Sequence, residues 1–164
     1  MGDLRIAGYA SIFGVPDSGG DVVLRGAFAS AGKPVPLLWQ HDSREPVGIV
    51  EAVSEDARGL RITARVIDAG RGATAAALVR AGAMDGLSFG YRVKAARADR
   101  VRGVRELARL ELVEVSLVTF PMQPLARVLG FSSLPASAGG GFSSLPASAG
   151  GGFSSVAEET MNDL

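Results

Sequence analysis

Cysteine is absent from this chain and histidine occurs once, at position 41. The first absence excludes disulfide staples, thiolate zinc sites and cysteine nucleophiles, and it fits a reducing compartment. Together the two leave no nitrogen and sulfur ligand set for a metal centre, so neither a metal nor a cofactor is expected. Net charge is missing as well. Seventeen basic residues balance seventeen acidic ones, and no long-range field draws the chain to nucleic acid or to an anionic membrane. No run approaches the roughly 20 apolar residues of a membrane helix, and the N-terminal Met1-Gly2-Asp3-Leu4-Arg5 has no signal-peptide apolar stretch. The expectation is a cytoplasmic protein with no membrane and no nucleic-acid partner.

What is present is enough for one domain with a core: 164 residues, 47% hydrophobic and 21% charged. Leu4 to Ile12 alternates loosely as a strand, and 14–20 is a turn-rich loop. Leu24 to Ala31 reads as one short helical turn. Strands are expected at 36–41 and 47–53, separated by a polar turn around Asp42-Ser43-Arg44-Glu45. Leu60, Ile62, Ala64 and Val66 alternate with Arg61, Thr63 and Arg65, the period of a half-buried strand, which pairs with 47–53 as an antiparallel hairpin. Strong helix formers between Gly72 and Ala83 predict a helix that stops at Gly82. Three more strands are expected at 87–95, 102–110 and 113–120, ended by Pro121 and Pro124. The predicted fold class is mainly β with short helices (α+β), a closed or nearly closed antiparallel β-barrel flanked by helices.

Past the body the composition changes. Phe-Ser-Ser-Leu-Pro-Ala-Ser-Ala-Gly-Gly-Gly fills 131–141, recurs unchanged at 142–152, and restarts as Phe153-Ser154-Ser155. So little apolar surface cannot offset the entropy of ordering it. The expected organisation is a barrel domain at 1–128, a flexible Gly/Ser/Ala/Pro tail at 129–155 and an acidic segment at 156–164. The tail reads as a spacer, or as a segment recognised at its repeated Phe and Leu-Pro-Ala.

Three segments carry candidate chemistry. His41 ends the apolar run Pro34-Val35-Pro36-Leu37-Leu38-Trp39-Gln40-His41. Imidazole takes and returns protons near neutral pH, so His41 is a candidate general base, or else a rim histidine with a satisfied hydrogen bond. In Asp85-Gly86-Leu87-Ser88-Phe89-Gly90-Tyr91, alternation sets Ser88 on the face opposite Leu87, Phe89 and Tyr91, between glycines that admit another backbone. Ser88 is either a nucleophile or a serine on the solvated face of a bulged strand. Glu114 lies in the apolar, β-branched stretch 110–118, where a carboxylate is costly unless paired. Its partner is either protonated His41 or an arginine such as Arg92 or Arg109. Ser116 shares its strand face and is a candidate donor to it, and Arg92 is a candidate accessory positive charge. Ser88, His41 and Glu114 would supply nucleophile, base and orienting carboxylate. Their order in the chain, and the lack of a Gly-x-Ser-x-Gly elbow, match no common serine-hydrolase layout.

Gly8-Tyr9-Ala10-Ser11-Ile12-Phe13, Asp21, Gly26-Ala27-Phe28, Leu38-Trp39-Gln40-His41-Asp42, Gly86-Leu87-Ser88-Phe89-Gly90-Tyr91 and Glu114-Val115-Ser116-Leu117-Val118-Thr119-x-Pro121, in this order, resemble the tailed-phage prohead protease family over residues 4–128. The resemblance implies a herpesvirus-assemblin-like serine protease fold, with His41, Ser88 and Glu114 at the catalytic triad positions. It implies an endopeptidase inside the immature capsid of a bacterial host's phage, prophage or gene-transfer particle. Its substrates would be scaffold protein, or the scaffolding segment of the major capsid protein, and then itself. It also implies a homodimer as a state on which activity can depend. A non-enzymatic capsid-assembly barrel that docks scaffold through its tail is the alternative. Two departures stand out: a short body, and Met122-Gln123-Pro124 where an Ala-Asn-Pro-like ending is usual.

Overall fold

The computed structural model describes residues 1–29 and 31–135. Its strands are β1 (Leu4–Ile12), β2 (Asp21–Val23), β3 (Val35–Trp39), β4 (Asp42–Glu55), β5 (Gly59–Val66), β6 (Gly86–Asp99), β7 (Val104–Val118) and β8 (Val128–Ser133), with one helix, α1 (Gly70–Arg80), between β5 and β6. All eight strands join one sheet in the order β2-β7-β3-β4-β5-β1-β8, with β6 on β7. The fold is mainly β, as the sequence pattern predicts, and β4 and β5 form the expected antiparallel hairpin.

Three features of the expected barrel do not hold. The sheet is mixed, since β2 and β3 run parallel to β7. Parallel neighbours need a long crossover, and Leu37 and its partner Val115 are separated in the chain by β4, β5, α1 and β6. The sheet is also not closed. Among the described residues, its ends meet at a bridge between Gly86 and Arg127 and at hydrogen bonds from Leu87 N–H to Ala126 O (2.9 Å) and Val128 N–H to Asp85 O (2.7 Å). Pro121 and Pro124, which lack the N–H a ladder needs, lie in the irregular segment leading there. Helices do not flank it either, because α1 is the one helix among the described residues. Leu24 to Ala31 makes successive i to i+3 turns instead of a helix. Gly26 there has φ +89°, and the Gly26 and Phe28 amides donate to the Glu55 carboxylate rather than along a helix axis.

The strands expected at 87–95, 102–110 and 113–120 are two long ones, β6 and β7, paired throughout with register shifts at Gly90/Tyr91, Val93/Ala95 and Ala95/Ala96. Each shift resets the apolar phase, which in sequence mimics a strand end. The first unit of the repeat begins inside the fold, since Phe131, Ser132 and Ser133 belong to β8. Residues 136–164, the rest of the expected tail and acidic segment, lie outside the described residues.

The core comprises Leu4 and Ile6 of β1, Leu37 of β3, Val47 and Val50 of β4, Leu60 and Ile62 of β5, Leu87 of β6 and Leu107, Leu110 and Leu117 of β7, each almost fully buried, with Ala75, Ala76 and Val79 of α1 in the same cluster. Burying each such side chain is worth about 1.5–3 kcal/mol. Gln123 stands where the departure from the family pattern lies, and it acts as a staple. Its amide accepts from Ile12 N–H (2.5 Å) and donates to Ile12 O (2.9 Å) and Val15 O (3.0 Å), tying the segment after β7 to the end of β1. Among the described residues no helix is long and apolar enough to cross a membrane.

Candidate active site

His41 is placed by a two-residue hairpin turn. Trp39 pairs with Asp42, leaving Gln40 and His41 as the central residues with φ of 51° and 58°. Two successive positive φ values define the turn that usually carries Asn-Gly. The expected turn at 42–45 is therefore wrong by two residues, and those polar residues begin β4. A left-handed backbone strains a residue with a β-carbon, and such strain persists only when neighbours hold it. Here the C-terminal end of β7 does so. Gln40 N–H donates to Leu117 O (2.9 Å), the Gln40 side chain donates to Thr119 Oγ1 (2.6 Å) and accepts from Thr119 N–H (3.2 Å), and His41 N–H donates to Ser116 Oγ (3.1 Å). If His41 is kept at a sterically costly position by these contacts, His41→Gly unfolds at higher denaturant than His41→Ala, by about 1 kcal/mol. Equal midpoints would show that the turn stores no strain.

Glu114, 6% exposed on β7, meets that histidine. Its Oε1 lies 2.5 Å from His41 Nδ1, and its Oε2 accepts from Ser116 Oγ at 2.7 Å. Among the described residues Glu114 pairs with neither Arg92 nor Arg109. Arg92 bonds Glu111 at 3.3 Å and is 44% exposed, so the accessory positive charge proposed for it is already paired with an acid. Ser116 is wholly buried, and its one proton goes to Glu114 while its oxygen accepts the His41 amide. That leaves it nothing to give an imidazole. The sequence anticipates Ser116 as a donor to Glu114. Its grip on the histidine's turn, and the Gln40–Thr119 clamp, are legible only once β3 and β7 are known to be neighbours.

Gly90 faces Glu114 in the β6–β7 register. A β-carbon there would sit 2.7 Å from Glu114 Oε1 and 2.9 Å from Cγ, so the carboxylate occupies space that only glycine leaves open. Gly90→Ala should push Glu114 off His41 and lower any activity that uses the pair by about 100-fold or more, with the fold retained by circular dichroism. Unchanged activity would mean the carboxylate is dispensable.

Ser88 lies on β6 directly opposite Ser116, while Ser116 also pairs with Leu38 of β3, so the three residues form one row across the sheet. Pairing places Ser88, Gly90, Glu114 and Ser116 on one face. On the other face Leu87 is fully buried and Phe89 packs edge-on against Phe28 (5.3 Å) and at a tilt against Tyr91 (5.1 Å), which fixes the strand beneath the serine. Ser88 is 6% exposed, and neither its hydroxyl nor His41 Nε2 has a hydrogen bond among the described residues. Thus the fold joins His41, Glu114 and Ser116 by hydrogen bonds and sets Ser88 in the adjoining position without a bond to the ring.

Asp21, part of the sequence resemblance, lies on the core side of this wall. It accepts two bonds from Arg105 (2.8 and 2.6 Å) and one from Tyr91 (3.1 Å), joining β2, β6 and β7. Burial, and then the Asp21 carboxylate, push the Tyr91 hydroxyl well above its ordinary pKa, so it stays a protonated donor. Among the described residues no group of acidic residues and histidine is arranged to hold a metal ion.

The fold is that of a herpesvirus protease: the KSHV protease, solved in complex with a hexapeptide phosphonate inhibitor, superposes with a TM-score of 0.58 over 79% of this chain and 65% of that one, at 12% identity. Sequence narrows the class. Residues 2–134 match the Caudovirus prohead serine protease family, and the chain belongs to it. It is 31% identical over 134 residues to the prohead protease of Enterobacteria phage HK97, covering 77% of this chain and 60% of that protein. The chain therefore spans about 60% of the length of this relative.

Proposed function

We propose that this chain is the serine endopeptidase of capsid maturation, with Ser88 as nucleophile, His41 as general base and Glu114 as the carboxylate that orients the histidine. The observation that carries the proposal is the 2.5 Å contact between Glu114 and His41 Nδ1, next to an unbonded serine that pairs with Ser116, the residue bonded to Glu114. With Nδ1–H donated to Glu114, the neutral ring presents Nε2 as an acceptor. Rotation of the Ser88 side chain brings its hydroxyl to that atom, and such bonds commonly form only with substrate bound. As Ser88 Oγ bonds to the peptide carbonyl carbon, its proton passes to Nε2. When the C–N bond breaks, that proton leaves on the amine, and water then hydrolyses the acyl-enzyme by the same route in reverse. Glu114 stabilises the transient imidazolium, and Ser116 positions both partners.

The substrate in this reading is a scaffold protein or the scaffolding segment of the major capsid protein, cut inside the prohead within the host cell. Purified protein mixed with a major capsid protein bearing its scaffolding segment should remove that segment, as read by intact-mass analysis. An untouched capsid protein beside a folded enzyme would contradict the assignment.

Self-cleavage is part of the proposal. The repeat offers small residues at Ala136, Ser137 and Ala138, tethered to the enzyme and so at high effective concentration. Residues up to Leu134 are held to β1, which favours, within the interval 131–152, cuts past that point. Mass spectrometry of active enzyme should find C-termini in that interval, and an intact Leu164 end after full substrate turnover would refute it.

A further inference from the structure

β8 is an edge strand whose inner partner is β1, with Ala7 opposite Gly130, Ile6 opposite Phe131, Arg5 opposite Ser132 and Leu4 opposite Ser133. Leu134 N–H donates to Asp3 O at 2.8 Å. Hydrogen-bonded pairs alternate along an antiparallel ladder, so Arg5 and Ser132 form the next bonded pair inward. Leu129 and Phe131 are 62% and 50% exposed, so the strand is held largely by main-chain bonds and by the half-covered Phe131 beside buried Ile6.

The segment that makes this ladder, Gly130-Phe131-Ser132-Ser133-Leu134-Pro135, recurs residue for residue as Gly141-Phe142-Ser143-Ser144-Leu145-Pro146. A site that recognises one copy recognises the other, because every group that bonds β1 is the same. We propose that the edge of β1 that β8 covers is a docking site for the Gly-Phe-Ser-Ser-Leu segment, and that residues 141–145 of the same chain take the place of 130–134 when that first copy is displaced. The C-terminal strand thereby slips by one repeat unit. Val128 stays anchored to Asp85, so slipping loops out eleven residues between the anchor and the new strand. Closing a loop of that length disfavours the slipped state by roughly 40-fold, a minor population that a lesion in the first copy makes dominant.

The absence of native cysteine makes the exchange directly measurable. In full-length protein carrying Ser88→Ala to prevent tail cleavage, Arg5→Cys is combined with Ser143→Cys, the counterpart of Ser132. A control combines Arg5→Cys with Ser148→Cys, outside the recurring segment. Under mild oxidation the Ser143 pair should form a disulfide within one chain at least tenfold faster than the Ser148 pair. Adding Ser132→Pro, which removes the N–H of the bonded pair, should accelerate it by a further tenfold or more. Equal rates at the two positions would overturn the proposal. So would a disulfide formed only between two chains, which would make a neighbour's segment the occupant, or a rate unmoved by Ser132→Pro.

Discussion

Ser88→Ala should abolish peptide-bond cleavage, with kcat/KM on a capsid or model peptide falling roughly 10⁴- to 10⁶-fold. The folded state should be almost unaffected, because Ser88 Oγ makes no hydrogen bond that the substitution would break. A denaturation midpoint within about 0.5 kcal/mol of the parent is expected. Ser116→Ala provides the contrast. It removes a buried hydroxyl that donates to Glu114 and accepts from the His41 turn, so it costs stability as well as rate, yet leaves nucleophile, base and carboxylate in place. If Ser116→Ala silenced the enzyme while Ser88→Ala did not, the nucleophile would be misassigned. If neither changed activity, cleavage would depend on neither serine, and if the parent chain cleaved nothing, it would be a scaffold-binding protein.

Glu114→Gln is expected to be the second most damaging change, lowering kcat by roughly 10³- to 10⁴-fold, the size seen when the carboxylate behind a catalytic histidine is made neutral in other serine proteases. An amide at this position can present N–H to Nδ1, which stabilises the ring tautomer that carries its proton on Nε2 and so cannot accept one from Ser88. The residual activity should lose its dependence on Ser116, since the hydroxyl then supports an amide rather than a carboxylate. In the parent enzyme only the neutral ring can take the Ser88 proton, because protonated His41 has no acceptor left. A Glu114→Gln variant with parental kcat and an unchanged pH profile would reduce the His41 contact to a structural one.

The sequence carries the chemistry more openly than the architecture. The alternation of Leu60, Ile62, Ala64 and Val66 shows directly in a strand buried on one face, and the alanine-rich stretch before Gly82 shows directly in α1. The cost of an unpaired carboxylate in an apolar strand makes Glu114 and His41 natural partners before any geometry is known, and they do meet. The turn that presents His41 is hidden, because Gln-His is not a sequence that favours two positive φ values and the contacts that hold it come from β7, far along the chain. The parallel pairing of β3 with β7 is hidden for the same reason, and with it the row that joins Leu38, Ser116 and Ser88. Bulges in β6 and β7 shift the apolar phase and so imitate strand ends. In β8 the first three residues of a low-complexity repeat gain order from a partner edge, which their composition cannot disclose.

The assignment of the nucleophile can be tested in a single labelling reaction. A serine-reactive peptidyl phosphonate, followed by peptide mapping, should place one adduct on Ser88 in the parent protein and none in a folded His41→Ala variant. An adduct on Ser116, or labelling of Ser88 that persists without His41, would contradict a Ser88 nucleophile activated by the His41–Glu114 pair.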